Sequence, residues 1–241
     1  MEDQVYALQY RVEKDHWWFS ARQKILIEFL ERRFTPSPSL RLLDVGCGTG
    51  AMLELLSQRY DAQGIDVSEH AAAFCRARGL HNVRVGTLTT FPKGEAFDIV
   101  TMLDVVEHIE EDVQVLRDAH AIVKPGGHLL VTVPAFPSLW SHHDVMLHHK
   151  RRYTRSELRA VVAEAGFIID RMTFFNTLLF PVALVKRSTA KLTGSREAND
   201  LEIPSRFMNS LLKTVFGMES RVVSGGSLPF GLSLLCWARK A

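Results

Sequence analysis

The chain has 241 residues, of which 46% are apolar, and a formal net charge of +2. This length fits one large domain or one domain with an insertion, and the apolar content excludes wholesale disorder. The small net charge excludes nucleic-acid binding by bulk attraction, although residues 1–170 carry 19 Lys/Arg against 23 Asp/Glu and residues 171–241 carry 10 against 4.

Cys47, Cys75 and Cys236 are scattered, and none belongs to a C-x-x-C pair. A disulfide framework or structural zinc site is not expected, and a reducing, cytoplasmic setting is. The N-terminus lacks the apolar run of a leader peptide. The longest apolar candidate, "TLLFPVALV" (177–185), falls well short of the roughly 20 residues that span a bilayer and contains Pro181. Any membrane contact is expected to be peripheral.

Residues 1–40 read as a helical extension, with Trp17, Trp18 and Phe19 ahead of a helix carrying Arg22, and "TPSPS" (35–39) as a linker. From residue 41 short apolar runs alternate with helical patterns. "LRLLDVG", "AQGIDVS", "NVRVGT", "FDIVTML" and "HLLVTVP" read as strands. The fourth is apolar at nearly every position, as a strand covered on both faces should be. Between them lie helices over "AMLELLSQRY", "EHAAAFCRARG" with Ser68 as cap, and "EEDVQVLRDAHAIVK", the last stopped by Pro125-Gly126-Gly127. Thr154 and Glu157 form a capping box for a further helix, and "FIIDRMTFF" and "GLSLLCWAR" supply two more strands. The alternation predicts a doubly wound, mostly parallel α/β sheet of Rossmann-like type.

"LLDVGCGTG" (42–50) joins the first strand to the first helix, where such sheets bind cofactors. Gly46-x-Gly48-x-x-Ala51 satisfies a dinucleotide fingerprint, and Asp66, about twenty residues on, fits a ribose-binding acid. Nicotinamide binding is therefore one reading. Asp44 and the third glycine, Gly50, favour another. An anion just before the loop repels a pyrophosphate and welcomes an ammonium, which suits a nucleoside with an amino-acid tail.

These residues resemble the class I S-adenosylmethionine-dependent methyltransferases, particularly the small-molecule group that includes ubiquinone-type enzymes. "LLDVGCGTG", "GIDVS", "FDIVTMLDVVEHI" and "VKPGGHLLVTVP" match that family's motifs in order over roughly residues 40–135. The resemblance implies S-adenosyl-L-methionine as cofactor, with Asp44, Gly46, Cys47, Gly48 and Gly50 around its methionine part. It implies Asp66 and Val67 at the ribose, and Leu103 and Asp104 alongside. Where the family often has an adenine-binding acid, this chain has Thr87 and Leu88, which take that place. It also implies a seven-stranded sheet with an antiparallel last strand and an insertion, 176–230, before it. Residues 41–175 and 231–241 then form the core. Trp18 and Arg22 can close over the cofactor as a lid, the ring facing the sulfonium and the guanidinium the carboxylate.

"SLWSHHDVMLHHKRRYT" (138–154) holds four of the ten histidines. It follows the fifth strand, at the edge where a methyl acceptor approaches. No metal-binding spacing is present and no metal is expected; the basic run Lys150–Arg152 is too short to indicate a nucleic-acid partner. His143 and His149 are candidate bases, with Asp144 orienting an imidazole. Arg151, Arg152 and Tyr153, together with His108 from the fourth strand's end, are candidate substrate contacts. A structural loop explains the same composition.

The insertion combines apolar stripes with basic residues over 177–192 and 204–223. A cap over the site, a homodimer surface and contact with an anionic membrane all fit that pattern. The expected activity is methylation of a small or lipid-like acceptor at oxygen or carbon. The alternatives are a nicotinamide oxidoreductase and a catalytically silent S-adenosylmethionine-binding protein.

Overall fold

The computed structural model describes residues 3–92, 94–185 and 202–241. Its strands are β1 (Ser37–Val45), β2 (Tyr60–Asp66), β3 (Val83–Val85), β4 (Phe97–Leu103), β5 (Val123–Pro134), β6 (Ile168–Phe175) and β7 (Ser233–Arg239). They form one sheet in the order β3-β2-β1-β4-β5-β7-β6, parallel except for β7, which runs antiparallel to both neighbours. The order reverses between β1 and β4. A crevice therefore opens beyond their C-terminal ends, as in other open α/β sheets.

The helices are α1 (Asp3–Val12), α2 (Trp17–Glu31), α3 (Ala51–Ser57), α4 (Glu69–Ala77), α5 (Asp112–Ile122), α6 (His142–Met146) and α7 (Arg155–Glu164), followed by α8 (Arg206–Gly217) and α9 (Ser220–Gly225). Two buried clusters flank the sheet. One joins Leu116 of α5 and Leu158 of α7 to Val100, Val131 and Phe174. The other joins Phe29 of α2, Leu53 of α3, Phe216 of α8 and Val223 of α9 to Leu42, Phe175 and Trp237. The alternation of side chains along each strand feeds both clusters at once.

Local chemistry moves several expected boundaries. The tryptophans lie inside the first turn of α2, because His16 caps it by accepting from the Trp18 N–H. Trp17 meets Phe216 edge-on, with centroids 6.1 Å apart, and so packs the extension onto the insertion. Ser37 already pairs with Tyr60, so part of the expected linker belongs to β1. β5 starts five residues early, at Val123, and Pro125-Gly126-Gly127 lies within it rather than ending the preceding helix. Lys240 secures that stretch by exchanging backbone bonds with Gly126 and Gly127.

The insertion is integral to its layer. Asn209 of α8 accepts from the Trp17 N–H at 2.9 Å and donates to the Asp15 carbonyl at 2.8 Å, holding the start of α2. Its expected stretch over 186–192 lies outside the described residues. Among the described residues, no helix is long and apolar enough to cross a membrane.

Candidate active site

The glycine loop runs from β1 into α3 with Gly46, Gly48 and Gly50 all left-handed, at φ of 68°, 54° and 88°. At Gly46 a Cβ would lie 2.5 Å from Val105 Cγ2, so the turn after β4 packs directly on the loop. Asp66 ends β2 and accepts from the Gly48 N–H at 2.9 Å and the Ser68 N–H at 3.0 Å. It thereby fixes the loop while keeping its carboxylate at the crevice. Val67 beside it is 70% exposed and offers an apolar surface. Leu88 is buried, and Thr87 immediately precedes the short 3-10 turn that follows β3, its hydroxyl 2.8 Å from Thr89 Oγ1.

Asp44 is buried on β1, accepting from Thr101 Oγ1 at 2.6 Å. Burial raises its pKa from 3.8 to about 6, against the lowering effects of Thr101 and Arg22. A ligand ammonium would supply the cation this carboxyl lacks.

The N-terminal segment roofs the loop through residues that its sequence pattern does not single out. Glu13 is buried and binds both Thr49 Oγ1 and Arg78, while Arg78 Nε donates to the Thr49 carbonyl at 2.8 Å. Tyr10 stacks on Phe74 of α4, with centroids 4.6 Å apart. Tyr6, also buried, directs its hydroxyl to Asp66 Oδ1 at 3.5 Å. Burial and Asp66 push its pKa up to about 12, so the hydroxyl stays protonated.

Arg22 reaches over the ends of β4 and β5. Its Nη2 lies 2.8 Å from Asp104 Oδ2 and donates to Thr132 Oγ1 at 3.0 Å. Thr132 in turn donates to Asp104 Oδ1 at 3.0 Å. The guanidinium sits 5.2 Å from the Trp18 ring centroid, and its buried Nε has no partner. That N–H is a donor suited to a ligand carboxylate. Leu103 is half-buried at the end of β4 beside this group.

Backbone strain marks the same edge. Asp104, Phe136 and Asn176, just past β4, β5 and β6, have φ of 59°, 60° and 59°; His148, in the histidine loop, has 57°. Left-handed non-glycine residues concentrate where function constrains the chain.

The histidine loop closes on itself where Ala135 bridges Tyr153. Inside it, His149 Nδ1 lies 2.9 Å from Asp144 Oδ1, and Arg152 Nε donates to the same oxygen at 2.8 Å. The other oxygen, Oδ2, accepts from the Ser141 N–H at 2.8 Å. Burial alone would raise the Asp144 pKa, but bonds from His149 and Arg152 outweigh it and hold the carboxyl well below the usual range. The Lys150 N–H donates to the Glu107 carbonyl at 2.7 Å, tying this loop to the turn after β4. His108 consequently meets His149 edge-on, with centroids 4.7 Å apart. Burial, and then the neighbouring His149, push the His108 pKa down to about 4, so it is neutral near pH 7.

Glu107 stands beside them, fully buried, with both carboxylate oxygens unpartnered. Burial, then Asp104, raises its pKa well above the ordinary carboxylate value. Ligand atoms of Glu107, His108 and His149 all lie within 4.8 Å of one another, so these three groups can hold a cation. This trio is assembled across two loops, and no metal-binding spacing in the sequence announces it.

The structure thus gathers His149, Asp144 and His108, while His143 stands farther off, its ring centroid 6.5 Å from that of His149. The three candidate clamps have internal partners. Arg152 is buried on Asp144 and the Ala135 carbonyl. Arg151 Nη1 and the Tyr153 hydroxyl both bond Asp112 Oδ2, at 3.0 and 2.7 Å. Cys47 is buried under the loop; its thiol pKa is raised first by a hydrogen bond with Cys75 and then by burial.

Several comparisons match this geometry. A ubiquinone biosynthesis O-methyltransferase of Pseudomonas aeruginosa is 33% identical over 150 residues, covering 52% of this chain and 63% of the relative. One from Bordetella avium is 32% identical over 128 residues, covering 46% and 53%. The chain therefore spans 53% and 63% of the length of these two relatives, less than two thirds of either. Among solved structures, a putative methyltransferase of Haloferax volcanii in complex with its Trm112 activator superposes with a TM-score of 0.63 at 18% identity, covering 98% of this chain and 96% of that one. The N-methyltransferase NodS of Bradyrhizobium japonicum, bound to S-adenosyl-L-homocysteine, gives 0.58 at 14% identity, covering 94% and 89%. At such identities these likenesses establish the Rossmann-like fold. A family model described as a methyltransferase domain covers residues 18–171, from the first turn of α2 to β6. With the glycine loop, its paired acids and strands β1 to β5 all inside that span, the chain belongs to the methyltransferase-domain family.

Proposed function

We propose that this chain transfers the methyl group of S-adenosyl-L-methionine to an oxygen or carbon of a small, lipophilic acceptor. The Asp144–His149 pair carries the reading: a buried carboxylate orients an imidazole at the sheet edge next to the turn that packs on the glycine loop. Relatives named as O-methyltransferases support the oxygen acceptor, and membership of the family sets aside the nicotinamide alternative.

When bound, the cofactor supplies an electrophilic methyl on a sulfonium. The chain's residues supply the rest. Asp44 would hold the ligand ammonium, the Arg22 Nε–H its carboxylate, and Asp66 the ribose hydroxyls. With its Nδ1–H hydrogen-bonded to Asp144, His149 would present Nε2 to accept the acceptor's hydroxyl proton as the methyl passes from the sulfonium sulfur to that oxygen. His108, neutral near pH 7 because burial and then His149 lower its pKa to about 4, adds no competing charge beside the base.

The acceptor wall is aromatic. Phe136 stacks on Phe174 with centroids 5.3 Å apart, and Phe180 meets both Phe136 and Phe230. α8 turns Phe207 and Leu211 outward and Met218, just past its end, is exposed as well, with Arg206, Lys213 and Arg221 nearby in sequence. That combination suits peripheral contact with an anionic lipid surface in which a lipophilic acceptor resides; a homodimer through the same stripe is the competing arrangement. A cytoplasmic enzyme that meets its acceptor at the membrane accords with both features.

A second reading rests on Glu107, His108 and His149 acting as ligands of a divalent cation that binds the acceptor oxygen. Transfer of radiolabelled methyl into a cell extract, fractionated into lipid, small-molecule, protein and nucleic-acid pools, tests the function. Label in the lipid or small-molecule pool is expected. Label confined to protein or nucleic acid removes the acceptor class, and absence of label from every pool favours a silent binding protein. Loss of transfer on chelation, restored by a divalent cation, selects the second reading over the first.

A further inference from the structure

The three arginines at the outer edge of β6 take no part in this chemistry. Arg155 and Arg159 are four residues apart on α7 and share a face of it. Arg171 comes from the edge strand β6. Together with Met172, Gly226 and Ser227 they line a recess of about 280 Å³.

Its charge is uncompensated. Among the described residues no carboxylate pairs with Arg155, Arg159 or Arg171. Asp170 also borders the recess, but its carboxylate is engaged by Arg239 at 3.1 Å and faces His128 at 3.8 Å. Arg155 Nη2 donates to the Met172 carbonyl at 2.8 Å, which positions its guanidinium against the strand. Arg171 makes one long bond, from Nη1 to the Gly225 carbonyl at 3.4 Å. Its Nε and Nη2 are buried without a partner. Arg33 lies close enough for Arg171 to act on it: burial, then Arg171 and Arg32, lower its pKa to about 10. Positive potential therefore accumulates at this edge, and Asp170, the carboxylate that borders it, is already engaged by Arg239.

We propose that this recess is a binding site for a phosphate ester, held by the guanidinium forks of Arg155, Arg159 and Arg171. Planar guanidinium groups match phosphate oxygens two at a time, and the two orphaned donor nitrogens of Arg171 are what such a ligand would satisfy. The volume holds a phosphate together with part of its alcohol.

The site is separate from the methyl-transfer edge. It lies at the start of β6, and roughly 17 Å of strand separates Asp170 from Phe175 at the other end. Two apolar residues flank it: Ile168 at the strand start, and Val222, whose Cγ1 lies 3.5 Å from where a Gly226 Cβ would sit. Both are exposed. A phospholipid headgroup and a soluble phosphate ester present the same chemistry to the arginines and differ in whether acyl chains accompany it.

The test uses the full chain and two variants, Arg171→Gln and the double variant Arg155→Gln/Arg159→Gln. Inorganic phosphate and glycerol phosphate are titrated calorimetrically. Vesicles of phosphatidylcholine, with and without phosphatidylglycerol, are assayed by co-sedimentation. S-adenosyl-L-homocysteine binding is measured on every variant and is expected to be unchanged, which certifies folding. Saturable phosphate binding, weakened about tenfold or more in both variants, is the expected result. Arginine-dependent binding to phosphatidylglycerol vesicles identifies the lipid source; binding of the soluble esters alone identifies the other. Binding that is absent in the wild type, or equal in wild type and variants, overturns the site. The arginines would then serve only to keep the β6 edge from pairing with another chain.

Discussion

His149 Nδ1 lies 2.9 Å from Asp144 Oδ1, and the carboxylate so engaged is itself anchored by Arg152 and the Ser141 N–H. This arrangement fixes one imidazole and leaves its other nitrogen for chemistry. Replacing His149 by Ala should lower kcat about 10²- to 10⁴-fold, the usual range for losing a general base. Binding of S-adenosyl-L-homocysteine should not change. His143→Ala, whose ring centroid lies 6.5 Å from that of His149, should retain most turnover. Single-turnover methyl transfer checks both; wild-type rates in His149→Ala would end the role of this dyad.

Asp44 predicts a pH dependence with a definite sign. Its pKa in the folded chain is raised from 3.8 to about 6, chiefly by burial. The proton it holds stabilises the apoprotein fully below about pH 4, and that contribution is lost as pH rises through 6. A shift of this size corresponds to about 3 kcal/mol. Cofactor binding runs the other way, because only the ionised carboxylate attracts an ammonium. Affinity for S-adenosyl-L-homocysteine should therefore fall between pH 7 and pH 5. Asp44→Asn should raise the apoprotein's Tm at neutral pH, weaken cofactor binding and flatten the pH profile. Isothermal titration across that range decides; an unchanged slope in the variant assigns it to another group.

The glycine loop, Asp66 and β4 are legible in the sequence because each rests on local chemistry: glycines where φ is positive, an acid at a strand end, apolar residues at successive positions. The Thr154–Glu157 capping box is legible for the same reason, and the structure has both of its reciprocal bonds. The roof over the loop is not. Glu13 meets Thr49 and Arg78 across 36 and 65 residues, and nothing local to Glu13 announces either partner. The same holds for His108 and His149, which meet because β4 and β5 are neighbours in the sheet. Arg151 and Arg152 look like free cations in a basic run, but Asp112 and Asp144 occupy them. A sequence records the charge of a side chain and not its partner.

Glu13 and Arg78 form a buried ion pair at the centre of that roof, with side chains 5% and 4% exposed. Removing Glu13 takes the nearer carboxylate from Arg78 and leaves it Glu54 at 3.5 Å. Glu13→Ala should cost about 1–3 kcal/mol of stability, read as a lower midpoint in urea. Because the pair holds α1 over the loop, the variant should also release S-adenosyl-L-homocysteine faster in stopped-flow experiments. Tyr6→Phe removes only the hydroxyl on Asp66. It should alter cofactor affinity with little change in stability, which separates the contact at Asp66 from the structural pair. Equal dissociation rates in the wild type and both variants would leave the roof without a part in cofactor retention.

Gly46 joins the two halves of the site. Its φ of 68° is left-handed, and a Cβ there would lie 2.5 Å from Val105 Cγ2. Gly46→Ala therefore carries two penalties: roughly 1–2 kcal/mol for the backbone, and displacement of the turn that carries Asp104, Glu107 and His108. Cofactor affinity should drop about tenfold or more, since 1.4 kcal/mol is a factor of ten. Val105→Ala in the same chain removes the methyl groups that collide but not the backbone penalty. The double variant should accordingly recover part of the lost affinity, while Val105→Ala alone binds nearly as the wild type. Full recovery would mean that the contact alone dictates glycine here. No recovery would mean that the backbone conformation does, and the turn after β4 would then be free to move independently of the loop.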